Sequence, residues 1–270
     1  MDIVTPDYSV YVKAKKSAEN IPVIKEKFNE ISSRMGVPKY FLEKTENITA
    51  VFNNDKWGYM VANGKYPDLF IRDRLEKSEE WEEGSCQKLK YYFSNDAKTI
   101  LIFLKNSIIV SNFKEGSADS CAKKIMDILT ANAIAFHAPV ENTVFQVNSR
   151  NPGDVFTQFV SENVNLDTIQ KINFNIILDP KMKKSGGVNI TFSVEDENKA
   201  VLFNSVMRLF ISDYVVKKKI TDVKTLRENN SIFHSGDHVY VNISDIPLEK
   251  LNMFITDFLF AEETRVEGKL

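Results

Sequence analysis

Apolar residues recur along this chain with two periods, and the two periods follow each other in a fixed order. Alternation over Tyr8 to Ala14 predicts a strand whose one face is buried. Helical spacing comes next, carried by four residues that share one face: Ile21, Ile24, Phe28 and Ile31. Two further strands are predicted over Ile48 to Phe52 and Trp57 to Val61, joined by a polar turn. The chain therefore begins as strand, helix, strand, strand.

A longer pattern occurs twice, first over Thr99 to Ala131 and again over Asn229 to Ala261. Each copy predicts an apolar strand, a tight turn, a second strand, a short loop and an amphipathic helix. Without a gap, seven positions carry the same residue in both copies, among them Ile102 and Ile232, Phe103 and Phe233, Asn112 and Asn242, Asp127 and Asp257, Leu129 and Leu259. Repeats of this kind indicate duplicated structural units.

The rest of the chain divides in the same way. We predict a first repeat over residues 1–137, with an insertion at 63–96, and a second repeat over 138–270, with an insertion at 195–230. Each repeat has the order strand, helix, two strands, insertion, two strands, helix. In the first insertion, Leu69 to Ile71 is interpreted as a strand fragment. The second insertion is predicted to begin as a helix, because apolar residues recur there at helical spacing.

This order of elements resembles one half of the TATA-box-binding protein family, and so do local residues. The second repeat has Ile232-Phe233, a Ser235-Gly236 turn and then Val239-Tyr240-Val241, while the first has Leu101-Ile102-Phe103 followed by Ile108 to Ser111. The resemblance implies an α+β fold, in which duplicated strand-helix-four strands-helix units form a curved antiparallel sheet with helices on one face.

The resemblance also implies DNA binding, since phenylalanines on the concave sheet of that family wedge between base steps in the minor groove. By position the wedges are Phe103 and Phe233, with Phe174 in an earlier strand as a further candidate. The other interpretation of these phenylalanines is a place in the core. A loop carrying Lys181, Lys183 and Lys184 before two glycines is a candidate contact for phosphate or a partner.

The amino-acid composition and net charge limit the classes of protein to which this chain can belong. Hydrophobic residues make up 43% and charged residues 27% of the 270 residues, which is typical of a folded globular chain. The net charge of −2 lacks the basic excess expected of a strongly electrostatic nucleic-acid binder. Two cysteines do not make a disulfide framework. Without a signal-peptide pattern or a membrane-length apolar run, we expect an intracellular protein of cytoplasm or nucleus that is not a membrane protein.

No spacing of residues indicates a nucleophile with its base, so we predict a non-enzymatic protein with no cofactor and no metal. The expected partners are double-stranded DNA or transcription-type proteins. Two alternatives remain open. One is a protein–protein interaction subunit with no role in nucleic-acid binding. The other is a small-ligand carrier or enzyme that uses the hairpin of His234, Asp237 and His238, where two imidazoles facing each other could hold a metal beside the carboxylate.

Overall fold

The computed structural model describes the following residues: 8–34, 43–53, 58–87, 89–113, 117–130, 142–150, 168–178, 184–220, 224 and 231–259. The chain divides into two units. The first comprises residues 1–19 and 24–138, and the second comprises residues 20–23 and 139–270.

The first unit contains seven of the described strands and three of the described helices. A short 3-10 segment, Lys16–Asn20, precedes the first helix. The strands are β1 (Tyr8–Lys15), β2 (Thr45–Asn53), β3 (Gly58–Gly64), β4 (Glu82–Cys86), β5 (Leu89–Ser94), β6 (Thr99–Leu104) and β7 (Ser107–Asn112). The helices are α1 (Pro22–Arg34), α2 (Asp68–Glu76) and α3 (Ala118–Thr130). The strands pair antiparallel in the order β1-β2-β3-β7-β6-β5-β4.

The second unit contains five described strands and two described helices. The strands are β8 (Thr143–Ser149), β9 (Ile169–Ile177), β10 (Ser185–Val194), β11 (Ile232–Ser235) and β12 (His238–Pro247). The helices are α4 (Glu197–Lys217) and α5 (Leu248–Leu259). The sheet is again antiparallel, in the order β11-β12-β10-β9-β8. The predicted α+β class with a large antiparallel sheet is therefore confirmed.

Two neighbouring tyrosines of β5 show that the first unit has helices on both faces of its sheet. The Tyr91 hydroxyl donates to Asp119 of α3, whereas the Tyr92 hydroxyl donates to Glu76 of α2 over 2.9 Å. Successive side chains of a strand point to opposite faces, so α2 and α3 cover opposite faces. The expectation of helices on one face is wrong for this unit.

The helix α2 lies in the first insertion, and it replaces the strand fragment expected at Leu69 to Ile71. Ile71 is buried while Leu69 is 87% exposed. This is the one-sided burial of a surface helix. Short apolar triplets do not distinguish a helix from a strand, and the contact of Ile71 with the sheet decides for the helix.

In the second unit, α4 and α5 share one face of the sheet. Phe203 of α4 contacts Phe192 of β10, with ring centroids 5.1 Å apart, and Phe258 of α5 lies 5.5 Å from Phe174 of β9. The two helices also contact each other, because the Tyr214 hydroxyl donates to Asp257 over 2.8 Å. This face is the core face of the second unit.

The helix α4 follows the prediction for the second insertion. It begins where the side chain of Asp196 accepts from the backbone N–H of Lys199 over 2.9 Å, which is the usual arrangement at a helix N-cap. The helix is 21 residues long. Within the described residues, no helix is both long enough and apolar enough to span a membrane.

Candidate nucleic-acid interface

The face of the second sheet opposite to α4 and α5 is lined by amide, hydroxyl and aromatic side chains. Along β9 and β10, buried apolar residues alternate with polar ones: Ile172, Phe174, Ile176, Ile190 and Phe192 face the core. The residues between them point the other way. We name this opposite side the amide face, and its members are Gln146, Asn148, Lys171, Asn173, Asn175, Asn189, Thr191, Phe233, His238, Tyr240 and Asn242.

Strand register aligns the amides in a row across four strands. Gln146 of β8 is opposite Asn175 of β9, Asn175 is opposite Asn189 of β10, and Asn189 is opposite Asn242 of β12. Directly opposed side chains in a sheet lie about 5 Å apart. The sheet therefore carries a line of closely spaced hydrogen-bond donors and acceptors at right angles to the strands.

A second row runs beside the first. It joins Asn148, Asn173, Thr191, Tyr240 and Phe233 on β8, β9, β10, β12 and β11 respectively. The two rows are linked where the Gln146 amide nitrogen donates to the side-chain oxygen of Asn173 over 3.1 Å. Along this row the side chains change from the amides of β8 and β9 to the hydroxyl of Thr191 and then to the aromatic rings of β12 and β11.

Asn175 lies in the middle of the first row with part of its side chain unsatisfied. The residue is 2% exposed, and within the described part of the chain its Oδ1 atom has no hydrogen-bond partner. A buried carbonyl oxygen without a donor is costly, about 1–3 kcal/mol. At this burial the oxygen is closed to a ligand, and Gln146 and Asn148 are buried as well. The accessible amides of the two rows are Asn173, Asn189 and Asn242.

Three aromatic rings stack along the β11–β12 end of the amide face. Phe233 and Tyr240 have ring centroids 4.9 Å apart with planes inclined by 16°. His238 lies 6.2 Å from Tyr240 at 19°. Phe233 is 37% exposed. Stacking on Tyr240 covers one face of the Phe233 ring, so a planar group could stack on its other face.

Positive charge on this face is modest. Lys171 is half-buried, and burial lowers the pKa of its ammonium group, with a further lowering from the nearby Arg150. Arg150 is exposed. Lys184, at the start of β10, is exposed, and its backbone carbonyl accepts from the N–H of Leu248 over 3.1 Å. Lys181 and Lys183, the other two residues of the predicted lysine loop, lie outside the described residues.

Of the three predicted wedge phenylalanines, the structure exposes Phe233 and buries the other two. Phe103 points away from α3, toward the side that the resemblance assigns to DNA, but α2 covers it. Its ring packs on Tyr92, 5.8 Å away between centroids, and under the guanidinium of Arg72 at 5.3 Å. Phe103 is 4% exposed, so its role as a wedge is wrong for this conformation.

Phe174 is fully buried on the core face against Phe258 of α5. It points away from the amide face, because it alternates with Asn173 and Asn175 along β9. Its predicted contact with DNA is therefore wrong, and the core interpretation holds.

The histidine hairpin also differs from its prediction. Its turn consists of Gly236 and Asp237, so His238 pairs with Ser235, and His234 pairs with Val239. This register places the two imidazoles on opposite faces of the hairpin. The Asp237 carboxylate is hydrogen-bonded to His238, with 2.6 Å between Oδ1 and Nδ1. Among the described residues, no cluster of three metal-ligating side chains is found.

A separate cavity of about 350 Å³ lies in the first unit between β1, α1 and β2. Its wall combines three lysines with two glutamates and a few neutral residues: Lys15, Lys16, Lys25, Glu19, Glu43, Thr45, Asn47, Asn29, Phe28, Ile48 and Ala14. The wall therefore carries charges of both signs.

The amide rows are the functional candidates that the sequence pattern did not identify. A signal was present, because Asn173 and Asn175 alternate with Phe174 and Ile176, and Asn189 alternates with Val188 and Ile190. Asparagine is depleted in strands, so repeated asparagines in predicted strands indicate a special face. Their alignment into rows depends on register, which the pattern alone does not give.

No family model matches this chain, and no curated protein matches it. Crystal structures of TP0453 do match. Crystal form III has a TM-score of 0.60 at 15% identity and covers 95% of this chain and 97% of that chain. Forms IV and I have TM-scores of 0.56 and 0.55 at 14% identity, each covering 94% of this chain and 95% of that one. At such identity the likeness shows a shared fold, and over nearly its whole length this chain is similar in fold to TP0453.

Proposed function

We propose that this chain is a non-enzymatic binding protein that contacts DNA through the amide face of its second unit. The observation that carries the proposal is the exposed Phe233 ring, stacked on Tyr240 and placed beside two rows of amides in register. Amides are among the side chains by which proteins contact base edges, and aromatics are among those that contact base faces.

The two kinds of side chain have distinct tasks in this proposal. Asn173, Asn189 and Asn242 are half-buried and offer both donors and acceptors to base edges. Phe233, supported by its stacking on Tyr240, offers one ring face to an unstacked base, where each stacked base is worth about 1–3 kcal/mol. The resemblance to the TATA-box-binding protein family supports this arrangement, since Phe233 occupies a wedge position of that family.

The binding differs from that of the family in its symmetry. Phe103 is covered by α2, so DNA is contacted by one wedge of the second unit and not by a matched pair. We also infer that the two units descend from one ancestral unit. The shared order of strand, two strands, insertion, two strands and helix supports that inference.

The net charge of the chain predicts how the affinity for DNA should depend on salt concentration. The chain has a net charge of −2, and the described cations near the amide face are few. About two phosphate contacts would give a slope of about −2 in a plot of log affinity against log salt. We therefore expect weak binding with a shallow dependence on salt, dominated by contacts to bases, in an intracellular setting.

The test is fluorescence anisotropy with labelled DNA at low salt, using an AT-rich duplex, a GC-rich duplex and a single strand. We expect Phe233→Ala and Tyr240→Ala each to weaken binding at least tenfold. Phe52→Ala is the matched control, because Phe52 is an exposed aromatic of the first unit (47% exposed), and we expect it to change affinity less than twofold. Absence of binding to all three DNAs at low salt would refute the proposal.

A protein–protein interaction subunit is the second candidate, favoured by the net negative charge of the chain. A transcription-type protein partner would then occupy the same face, because exposed aromatics are enriched where proteins bind each other. Pull-down with the intact chain and with Phe233→Ala separates the two. The second candidate is supported over the first if the intact chain pulls down a protein partner, Phe233→Ala does not, and the chain does not bind DNA.

A further inference from the structure

The outward surface of α4 carries an apolar stripe that no described residue covers. Leu202 is 69% exposed, Leu209 is 76% exposed and Val216 is 46% exposed. The opposite side of the same helix is buried on the core face of the sheet, through Ala200, Phe203, Met207, Ile211 and Val215. The helix is therefore apolar on two sides, and one of them faces outward.

The stripe has the spacing of a helix–helix contact. Leu202, Leu209 and Val216 are seven residues apart, and Ser205 and Ser212 occupy the positions between them. These are the a and d positions of a heptad pattern. The Ser205 hydroxyl donates to the carbonyl of Val201 over 3.1 Å, so its donor group is satisfied within the helix. Serine is small, so its presence at the d positions permits two helices to approach closely.

The stripe is also symmetric about its centre. Leu202 and Val216 lie seven residues before and after Leu209, which is about 10.5 Å along the axis in each direction. If a second copy of α4 lies antiparallel, each Leu202 meets a Val216 and the two Leu209 side chains meet each other. This is the self-complementarity that a two-fold interface requires.

Charges at the two ends of the helix favour the antiparallel orientation. The N-terminal end carries Glu195, Asp196 and Glu197, and the C-terminal end carries Lys217, Lys218 and Lys219. Several of these charges already have partners, including Lys217 with Asp213 and Lys218 with Asp257. In the antiparallel register centred on Leu209, Lys217 lies four residues, about 6 Å along the axis, from Glu197 of the second copy. Exposed ion pairs add little affinity, but opposite charges near each other at the ends of the helices favour one orientation. Parallel pairing would bring like charges together.

We infer that α4 pairs antiparallel with α4 of a second copy of this chain, across a two-fold axis at Leu209. The occupant of the stripe is a second copy because both its apolar spacing and its end charges are complementary to themselves. The dimer uses the outer side of α4, which is turned away from the sheet, and so it leaves the amide face free.

Cross-linking tests the geometry directly. In a Cys86→Ser background, where the other cysteine, Cys121, is buried, we expect Leu209→Cys to form a disulfide-linked dimer on mild oxidation. Leu202→Cys alone should remain unlinked, whereas Leu202→Cys combined with Val216→Cys should link. Efficient linking of Leu202→Cys alone would mean parallel pairing and would overturn the inference.

Sedimentation equilibrium tests the association itself. We expect a concentration-dependent dimer, and we expect Leu209→Glu to raise its dissociation constant at least tenfold. Leu69→Glu is the matched control, because Leu69 is an 87% exposed leucine on α2 of the first unit, and it should leave the dimer unchanged. Circular dichroism checks that both variants fold.

Other occupants of the stripe would give different results. A chain that stays monomeric up to about 100 µM excludes a dimer of useful strength and overturns the inference. A monomer that binds neutral phosphatidylcholine vesicles, or a different purified protein, and loses that binding in Leu209→Glu would assign the stripe to that occupant and equally overturn it.

Discussion

Phe103 and Phe233 occupy equivalent positions in the doubled sequence motif, yet the structure gives them opposite surroundings. Phe103 is 4% exposed under α2, and Phe233 is 37% exposed at the end of its sheet. Truncating each ring to alanine should therefore have very different effects on stability. We predict a large loss for Phe103→Ala and a small loss for Phe233→Ala.

The magnitude follows from the contacts of each ring. Replacing a buried phenylalanine by alanine costs about 3–5 kcal/mol. Phe103 belongs to a small cluster with Ile71, Tyr92, Ile108 and Val110, which a single short helix covers, so we expect relaxation and a cost of about 3 kcal/mol. Phe233 loses mainly its stacking on Tyr240, for which we expect about 1 kcal/mol.

Tryptophan fluorescence during urea unfolding measures this difference. The chain has two tryptophans, and Trp81 packs against the cluster that contains Phe103. Both lie in the first unit, and in a Trp57→Phe background the signal comes from Trp81 alone. With a slope of about 2 kcal/mol per molar urea, Phe103→Ala should lower the midpoint by about 1.5 M. Circular dichroism also follows the second unit in the same titration, and there Phe233→Ala should lower the midpoint by about 0.5 M.

Two results would contradict the reasoning. If Phe103→Ala shifts the midpoint by less than the experimental scatter, the ring is not buried under α2. If Phe103→Ala leaves stability intact but abolishes DNA binding, the ring is an exposed wedge after all. The symmetric mode implied by the resemblance would then be restored.

Three further predictions concern the second unit and the tyrosines. Asp196→Ala should destabilise the chain by about 1 kcal/mol in thermal unfolding, because α4 loses its N-cap, whereas Asp196→Asn should cost less than half as much. Tyr214→Phe should cost about 1–2 kcal/mol, because the hydroxyl of Tyr214 joins α4 to Asp257 of α5; urea unfolding followed by circular dichroism measures this, and no loss would mean that the bond contributes nothing. Burial, with a hydrogen bond to Glu76, raises the pKa of Tyr92 to about 12, so its stabilising contribution is complete below pH 10 and is lost as pH rises from 10 toward 12. Between those pH values the unfolding free energy of the wild type should therefore fall more steeply than that of Tyr92→Phe.

Sequence reasoning recovered much of the fold because periodicity is a local property. Alternation identified β1, the repeated motif identified two hairpins and α3, and helical spacing identified α4. At the start of α3, the Ser117 side chain accepts from the N–H of Ser120 over 3.2 Å, which is the usual arrangement at a helix N-cap. The first insertion was predicted wrongly, because the apolar run from Leu69 to Ile71 is too short to distinguish the period of a helix from that of a strand.

The candidate site was recovered only in part, because a site depends on which face of a sheet stays uncovered. The position of Phe233 came from the repeated motif, and its exposure agrees with a binding role. The same reasoning selected Phe103 and Phe174, which are buried by α2 and α5 respectively. The alternation of polar and apolar residues in a strand does not show which of its faces a helix from another part of the chain will cover.

The sequence by itself determined the α+β class, the order of most elements and the alternation that places each side chain on one face or the other. The tertiary structure decided which faces are covered, and it brought Gln146, Asn175, Asn189 and Asn242 into one row. The physical reason is that alternation has a range of two residues, whereas register and helix docking are set by contacts between segments tens of residues apart.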